Sequence, residues 1–250
     1  MSLVELLNPQ KNEHILDLGC GYGELTKEIA DKRVARRVVG IDNKNSYLEW
    51  KKVKLEWKKV KSDSSINLKF QKREATNLKF KEKFDAVFSH LVIHHIKPPE
   101  EVISSVWNAL KPGGRFVVEF YGYGTAEEII LALQKVMSSH NYSFDIKKDF
   151  PWYLPTQEEY CKLLTSQGFE VTDDDQSSFA EERLIYGNIS GWLQDIGFNP
   201  ESLSSINKKA IFDKVHNEVH DQLCRNYECF VNYQHIRIVA IKSSELSNNN

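Results

Sequence analysis

The stretch His14-Ile-Leu-Asp-Leu-Gly-Cys-Gly-Tyr-Gly-Glu24 decides the fold, together with Val38-Val-Gly-Ile-Asp42. It begins as a continuous apolar run, which is typical of a parallel strand buried on both faces. Glycines then permit a sharp turn and a close approach to a ligand, because no Cβ blocks the backbone. A second apolar strand ends at Asp42, where an acid can accept hydrogen bonds from both hydroxyls of a ribose. This order of parts predicts a cleft shaped for a nucleotide.

The charges around the glycine loop indicate which nucleotide the cleft takes. A dinucleotide places its pyrophosphate at a helix N-terminus and carries the pattern G-x-G-x-x-G. Gly19 and Gly21 match the first two positions, but Glu24 stands at the third. Asp17 and Glu24 would repel a pyrophosphate, whereas S-adenosylmethionine (SAM) has no phosphate and carries a sulfonium and an ammonium group. The residues therefore favour SAM over a dinucleotide.

Several segments resemble the class I SAM-dependent methyltransferases. Asp17-Leu-Gly-Cys-Gly-Tyr-Gly23 is similar to their glycine motif, and Gly40-Ile-Asp42 to their acidic ribose position. Phe84-Asp-Ala-Val-Phe-Ser-His90 and Leu110-Lys-Pro-Gly-Gly-Arg-Phe116 resemble their blocks at strands four and five. The resemblance covers nearly the whole chain. Within the superfamily, the chain is most similar to the small-molecule subgroup around trans-aconitate methyltransferase. Three later segments agree with that subgroup, namely 155–160, 168–171 and 237–242.

The alternation of apolar runs and amphipathic segments predicts an α/β fold. We expect a doubly wound, mostly parallel, seven-stranded, Rossmann-like sheet; the resemblance implies that its last strand is antiparallel. The predicted strands are 14–19, 37–42, 67–73, 84–89, 115–121, 170–173 and 233–241, with a turn at 112–114. The predicted helices are 24–31, 45–61, 99–110, 125–139, 157–167, 189–196 and 200–226. We expect one domain over 1–242 with helical cap insertions at about 122–155 and 187–233, and a disordered tail at 243–250.

The resemblance implies a set of cofactor-binding residues. Asp17 and the glycine loop would hold the methionine part of SAM, Asp42 its ribose, and the segment after strand three its adenine. The end of strand four opens the ligand crevice. Many relatives carry Asp where Glu74 stands here. The predicted SAM-binding residues are Asp17, Gly19, Cys20, Gly21, Asp42, Asn43, Glu74, Ala75, Ser89 and His90.

The sequence signals for residues that bind the methyl acceptor are less specific than those for the cofactor-binding residues. His94 is the predicted catalytic residue, which would orient a carboxylate or act as a base; packing of the following turn stays open as the alternative. His95 beside it is expected to be structural. Aromatic side chains would line the acceptor pocket, although core residues look the same in a sequence: Tyr121, Tyr123, Trp152, Tyr153, Trp192 and Tyr233. Candidate carboxylate partners are Lys147, Arg183 and Arg237, and a salt-bridge role stays open for Arg237.

Methyl transfer is an in-line displacement that depends chiefly on alignment and on exclusion of water. An ionised carboxylate acceptor needs no general base. We therefore expect a methyltransferase that acts on a small molecule, with a carboxylate oxygen as the favoured acceptor.

Two alternatives to this function stay open, and the first is that the acceptor is RNA or a protein. The lysine-rich tandem repeat 48–54 and 55–61 would then be a basic patch that binds this substrate, whereas the other interpretation of the repeat is a solvated helix face. The second alternative is a SAM-binding module without activity, which Tyr22 and the short N-terminus suggest.

Composition limits the partners. The 250 residues carry a formal net charge of -2, so no global basic field favours nucleic acid, and we expect a cytoplasmic monomer without a membrane segment. Asn8-Pro9 breaks the first apolar residues, which argues against a signal peptide. No two of the four cysteines form a C-x-x-C pair, so a metal cage is not suggested. Without a signal peptide we expect reduced thiols at Cys20, Cys161, Cys224 and Cys229. His216 and His220 are read as a solvated helix face, and no metal site is expected.

Overall fold

The computed structural model describes residues 2–31, 35–43, 67–172, 176–184, 187–200 and 205–244. The predicted helix at 45–61, with its tandem repeat, and the tail from 245 lie outside the described residues. The chain forms two compact units. The first comprises 1–120, 157–176 and 236–250, and the second comprises 121–156 and 177–235. The predicted organisation as one domain with cap insertions stays a prediction.

The strands form one mostly parallel sheet, which confirms the predicted fold class. Its main path has the order β3-β2-β1-β4-β5-β9-β6. Parallel pairing joins β1 to β2 and β4, β2 to β3, and β4 to β5, whereas β6 and β9 are antiparallel. The strands are β1 (His14–Leu18), β2 (Arg37–Asp42), β3 (Asn67–Lys72), β4 (Phe84–His90), β5 (Leu110–Tyr121), β6 (Phe169–Val171), β7 (Gln176–Arg183), β8 (Cys224–Arg225) and β9 (Glu228–Lys242).

Two strands that pair with β9 away from this path, β7 and β8, were not predicted. The sequence of β7, QSSFAEER, has no apolar alternation, and β8 has only two residues. The predicted turn at 112–114 is also wrong, because β5 already begins at Leu110. Leu110 pairs with Phe84, and pairing resumes between Arg115 and Ala86, so the residues between them form an irregularity within the strand.

The helices follow their local signals. The α3 helix begins at Pro99, as the two prolines predict, and α6 ends before Gly168, whose φ of 108° suits a glycine C-cap. An unpredicted first helix starts with a capping box between Ser2 and Glu5. The helices are α1 (Leu3–Leu7), α2 (Glu24–Asp31), α3 (Pro99–Ala109), α4 (Glu127–Ser139), α5 (Ile146–Asp149), α6 (Gln157–Gln167), α7 (Ile189–Asp195) and α8 (Ser205–Leu223). Short 3-10 turns lie at Ala75–Asn77 and Ile93–His95.

Each unit has its own apolar interior. In the first, side chains of α1 and α2 pack with those of β1, β2, β4 and β5, which fixes the strand ends that carry the predicted site; Ile15, Ile29, Val38 and Phe88 are members of this cluster. In the second, aromatic rings contact one another in a buried group that contains Tyr121, Phe150, Trp152, Trp192, Phe198, Phe212 and Tyr233. Among the described residues, no helix combines the length and apolar character needed to cross a membrane.

The oxidation state of Cys224 and Cys229 differs from the prediction. The structure joins them in a disulfide, so the prediction of reduced thiols is wrong for this pair, whereas Cys20 and Cys161 are free. The cause is the tight hairpin of β8 and β9, which sets the two cysteines directly opposite each other. A sequence separation of five residues does not reveal this pairing without the hairpin.

Candidate active site

The glycine loop connects β1 to α2 and is tied to the end of β2. The backbone N–H groups of Gly19 and Cys20 both donate to the carbonyl oxygen of Ile41, at 2.8 and 2.9 Å. Gly19 has a φ of 76°, and a Cβ at this position would lie 2.2 Å from Cγ2 of Val92. Glycine is therefore required at residue 19 by both its backbone conformation and its neighbour. Val92, which lies just after β4, was not predicted to belong to this site.

The next two glycines in the loop have different surroundings. A Cβ at Gly23 would lie 2.7 Å from the ring of Phe70, whereas a Cβ at Gly21 would meet no atom within 4 Å. Gly21 thus borders open space, and its φ of 49° still favours glycine. The side chain of Tyr22 between them is 61% exposed, so the phenol lies mainly in solvent. The loop therefore presents open backbone around Gly21.

Asp42 lies at the end of β2, as predicted, and reaches this open part of the loop. The N–H of Gly21 donates to Oδ2 of Asp42 at 3.0 Å. The next residue, Asn43, donates from Nδ2 to Oε2 of Glu74 at 3.4 Å, and Ala75 begins the short turn that follows Glu74. The structure therefore brings the predicted glycine, ribose and adenine positions together at the carboxyl ends of β1, β2 and β3.

Asp17 is buried beneath the loop. It is only 3% exposed and accepts a hydrogen bond from Oγ1 of Thr26 at 2.6 Å. Burial raises the pKa of Asp17 to about 7; the Thr26 hydroxyl opposes this rise, and the charge of Asp42 adds to it. Thr26 was not predicted, although a hydroxyl on the buried face of α2 is a signal that it has a polar partner. Burial, with the charges of Asp17 and Asp42, also raises the pKa of Cys20, which keeps that side chain a neutral thiol.

The raised pKa of Asp17 predicts an unusual dependence of stability on pH. Below about pH 4 this carboxyl is protonated in both the folded and the unfolded protein. Above about pH 7 it is ionised in both, so the folded protein then carries the full free-energy cost of burying a charge. Asp17 therefore lowers the free energy of unfolding as the pH rises between these values, opposite to a paired surface carboxylate. In urea unfolding, the free energy of unfolding of Asp17→Asn minus that of the parent should increase by about 2–3 kcal/mol from about pH 5 to about pH 7.5. A constant difference would refute the raised pKa.

Strand β4 contributes Ser89 and His90 at its end. The Ser89 hydroxyl is fully buried and donates to the carbonyl oxygen of Leu18 at 3.0 Å, so it connects β4 to the end of β1. His90 is half-buried. His94 is 1% exposed, whereas the adjacent His95 is exposed, with 4.2 Å between the ring centroids. The burial of His94 agrees with a role inside the site and with packing, so both interpretations of this residue stay open.

The candidate acceptor residues fall into separate groups. Trp192 donates from Nε1 to the hydroxyl of Tyr233 at 2.8 Å within the buried aromatic group, and burial raises the pKa of Tyr233 to about 12. Tyr123 is 65% exposed, and Lys147 is exposed. Arg237 donates to the buried carboxylate of Glu119, with 2.9 Å between Nε and Oε2, so the salt-bridge interpretation describes its observed contact. The side chain of Arg183 lies outside the described residues.

Known proteins are similar to this chain in sequence. A family model described as a methyltransferase domain matches residues 9–168. The chain is 26% identical over 246 residues to the uncharacterized methyltransferase C70.08c of Schizosaccharomyces pombe, covering 96% of this chain and 90% of that protein. Other relatives are named as tRNA U34 carboxymethyltransferases and sterol 24-C-methyltransferases. The match covers only about half of their length, for example 50% of the tRNA enzyme of Pseudoalteromonas atlantica and 56% of the sterol enzyme of Yarrowia lipolytica. Their named acceptors therefore differ widely.

Two solved structures share the fold. YcgJ of Bacillus subtilis has a TM-score of 0.66 and 18% identity, with 97% of each chain covered. Phosphoethanolamine N-methyltransferase 2 of Haemonchus contortus, solved with S-adenosyl-L-methionine, has a TM-score of 0.55 and 20% identity. That comparison covers 96% of this chain and 51% of the other. Because the family model spans well over half of the sequence, the chain belongs to the methyltransferase domain family and is a SAM-dependent methyltransferase.

Proposed function

We propose that this protein transfers the methyl group of SAM to a carboxylate oxygen of a small molecule. The observation that carries the cofactor part is the pairing of Asp42 with the N–H of Gly21 beside open space in the glycine loop. In this proposal Asp42 holds the ribose, Glu74 and Ala75 meet the adenine, and the loop faces the methionine part. The remaining members of the proposed cofactor-binding set are Asp17, Gly19, Cys20, Gly21, Asn43, Ser89 and His90.

The charges of these residues fit SAM. Asp17 and Asp42 place two acidic groups along the glycine loop, and their mutual repulsion contributes to the raised pKa of Asp17. A ligand with a positive sulfonium and an ammonium group would relieve that repulsion, whereas a pyrophosphate would increase it. The charge pattern of the structure thus supports the preference for SAM that the sequence predicts.

Positioning supplies most of the chemistry in this proposal. SAM provides an electrophilic methyl group on a sulfonium that is already a good leaving group. The protein therefore has to hold the acceptor in line and exclude water. A carboxylate is ionised at neutral pH and needs no proton removed, so the proposal requires the buried His94 only as a hydrogen-bond donor. His94 would donate a hydrogen bond to the acceptor carboxylate.

Replacement of His94 by phenylalanine, which keeps an aromatic ring but has no hydrogen-bond donor, tests this positioning role. Loss of a hydrogen bond to a charged group costs about 1.5–3 kcal/mol, so kcat/KM for a carboxylate acceptor should fall about tenfold to 100-fold. The affinity for S-adenosylhomocysteine should change little, because His94 is not in the proposed cofactor-binding set. The matched control is His95→Phe, since His95 is its exposed neighbour. Equal effects of the two substitutions on kcat/KM would indicate that His94 only packs the turn.

The acceptor is tested with matched small molecules. Purified protein with SAM is offered di- and tricarboxylic acids, their amides and phosphoethanolamine, and methylated products are identified by mass spectrometry. The trans-aconitate-like subgroup predicts that only free carboxylates gain a methyl group, as esters that hydroxylamine cleaves. Methylation of phosphoethanolamine alone would overturn the carboxylate proposal and leave the methyltransferase assignment intact. The cytoplasmic location, the monomeric state and the single domain with a cap remain part of this proposal.

RNA is the second candidate acceptor. The lysine-rich repeat at 48–61 supports it, as does the existence of relatives named as tRNA U34 carboxymethyltransferases. The net charge of -2 is against it, because binding to nucleic acid relies on basic residues that contact phosphates. A transfer RNA arm in the same assay separates the candidates. Incorporation of methyl into RNA that falls steeply with salt would favour the RNA acceptor.

A further inference from the structure

His216, Cys224 and Cys229 form a cluster of metal-ligating side chains that the methyltransferase site does not use. Their ligand atoms all lie within 4.8 Å of one another. All three residues belong to the second compact unit, whereas the glycine loop belongs to the first. His216 comes from α8, Cys224 forms part of β8, and Cys229 is near the start of β9. The cluster therefore joins a helix and a hairpin that are consecutive in the chain.

The hairpin holds the two cysteines in place. Asn226 and Tyr227 form its two-residue turn, and their φ angles of 51° and 64° are typical of a type I′ turn, which matches the twist of paired strands. Cys224 and Cys229 are therefore directly opposite each other, whether or not their sulfur atoms are bonded. The spacing of four intervening residues lies within the range of zinc-binding cysteine pairs.

His216 brings a nitrogen atom that has no hydrogen-bond partner in the part of the chain that the structure describes. Its Nδ1 is buried and makes no hydrogen bond to any described residue. Buried polar atoms are normally hydrogen-bonded, and an unsatisfied one destabilises the folded state. Cys229 is only 3% exposed, so the cluster is also partly shielded from water. An imidazole next to two sulfur atoms is the ligand chemistry that Zn²⁺ prefers.

We propose that the reduced form of the Cys224–Cys229 pair, together with His216, binds one Zn²⁺ ion. Reduction breaks the S–S bond with two electrons and two protons from a dithiol, which itself becomes a disulfide. Zinc then displaces the two thiol protons to solvent and is held by two thiolates and a neutral imidazole, with water as the fourth ligand. The thiolate charges balance the charge of the ion.

The ligand atoms can reach the spacing of such a site once the disulfide has opened. Ligand atoms around a tetrahedral zinc are roughly 3.6–3.8 Å apart, given Zn–S near 2.3 Å and Zn–N near 2.0 Å. The two sulfur atoms are bonded in the disulfide form, so after reduction they must separate from about 2.0 Å to roughly 3.8 Å. The 4.8 Å limit on the ligand-atom separations means that the imidazole nitrogen needs to approach each sulfur by at most about one ångström. The same residues would thus form a disulfide under oxidising conditions and a zinc site under reducing ones, which makes metal binding dependent on the thiol redox state.

Cobalt titration of the full chain under anaerobic conditions tests this proposal. Co²⁺ replaces Zn²⁺ and gives a thiolate charge-transfer band and strong visible bands in a tetrahedral site. The protein reduced with a phosphine should bind one Co²⁺ per chain, and Zn²⁺ should remove both signals. The disulfide form should give neither signal. This comparison uses one unmodified protein, so it does not depend on the folding of any variant, and its outcome is independent of the acceptor and of SAM binding.

Variants then identify the ligands. Loss of an outer partner of a metal ligand already weakens affinity about 10–100-fold, so His216→Ala should weaken Co²⁺ binding by at least about 100-fold. His220→Ala and Cys161→Ser are matched controls, because His220 lies one turn further along α8 and Cys161 is a free thiol elsewhere. Both should bind as the parent does. Absence of the signals in reduced protein, or an unchanged affinity in a folded His216→Ala, would overturn the three-ligand site.

Discussion

Replacement of Asp42 by alanine is expected to weaken the binding of S-adenosylhomocysteine by about 100-fold or more. The carboxylate accepts from the N–H of Gly21 at 3.0 Å, a bond within the protein that orients it, and in the proposed function it would also accept from both hydroxyls of the ribose. A hydrogen bond to a charged group contributes about 1.5–3 kcal/mol, and each 1.4 kcal/mol is tenfold in affinity, so two such bonds account for this loss. Isothermal titration calorimetry of parent and variant measures it directly.

Two further variants separate the contributions of charge and shape. Asp42→Asn keeps an oxygen acceptor without the charge, so its affinity should lie between those of the parent and Asp42→Ala. Asp31→Ala removes an exposed acid at the end of α2 and should bind as the parent does. If Asp42→Ala binds S-adenosylhomocysteine within about twofold of the parent, the ribose role assigned to this strand end is wrong. If the parent itself does not bind, the cofactor-binding set as a whole is wrong.

The sequence predicts the part of this site that depends on strand ends. Continuous apolar runs place β1 and β2, and the order of the parallel strands brings the glycine loop and Asp42 to one edge of the sheet. Predicted β2 agrees with the observed strand, and predicted β1 extends one residue beyond it. The contacts of Thr26 with Asp17 and of Val92 with Gly19 could not be predicted, because each depends on how an element packs after the chain has turned.

Errors occur where local pattern and tertiary context disagree. Pro112-Gly-Gly114 has the composition of a turn, yet β4 continues beside it and draws the segment into β5 as an irregularity. Strand β7 pairs with β9 although its sequence is polar, since pairing supplies its backbone hydrogen bonds without an apolar face. The cysteine pair likewise depends on a two-residue turn whose residues are Asn226 and Tyr227 rather than the usual glycine.

Replacement of Gly19 by alanine is expected to destabilise the fold by about 2–5 kcal/mol. A side chain in the left-handed region costs about 1–2 kcal/mol, and forcing atoms into a packed neighbour costs about 1–3 kcal/mol. Here the new Cβ would lie 2.2 Å from Cγ2 of Val92 and 2.9 Å from its Cβ. Valine is branched at Cβ and has few rotamers with which to avoid the clash, so the backbone of one partner must move.

Gly21→Ala is the matched control for this loss. Its φ of 49° is also left-handed, but its Cβ would meet no atom within 4 Å, so only the backbone cost of about 1–2 kcal/mol should appear. The double variant Gly19→Ala with Val92→Ala should recover part of the stability lost in Gly19→Ala, because the crowding is removed and the strain in φ remains. Urea unfolding gives the free energies, and equal losses for Gly19→Ala and Gly21→Ala would show that Val92 does not restrict the loop. Because Gly19 and Cys20 are hydrogen-bonded to Ile41 at the end of β2, a movement forced on Gly19 should also displace Gly21 from Asp42 and weaken cofactor binding in Gly19→Ala.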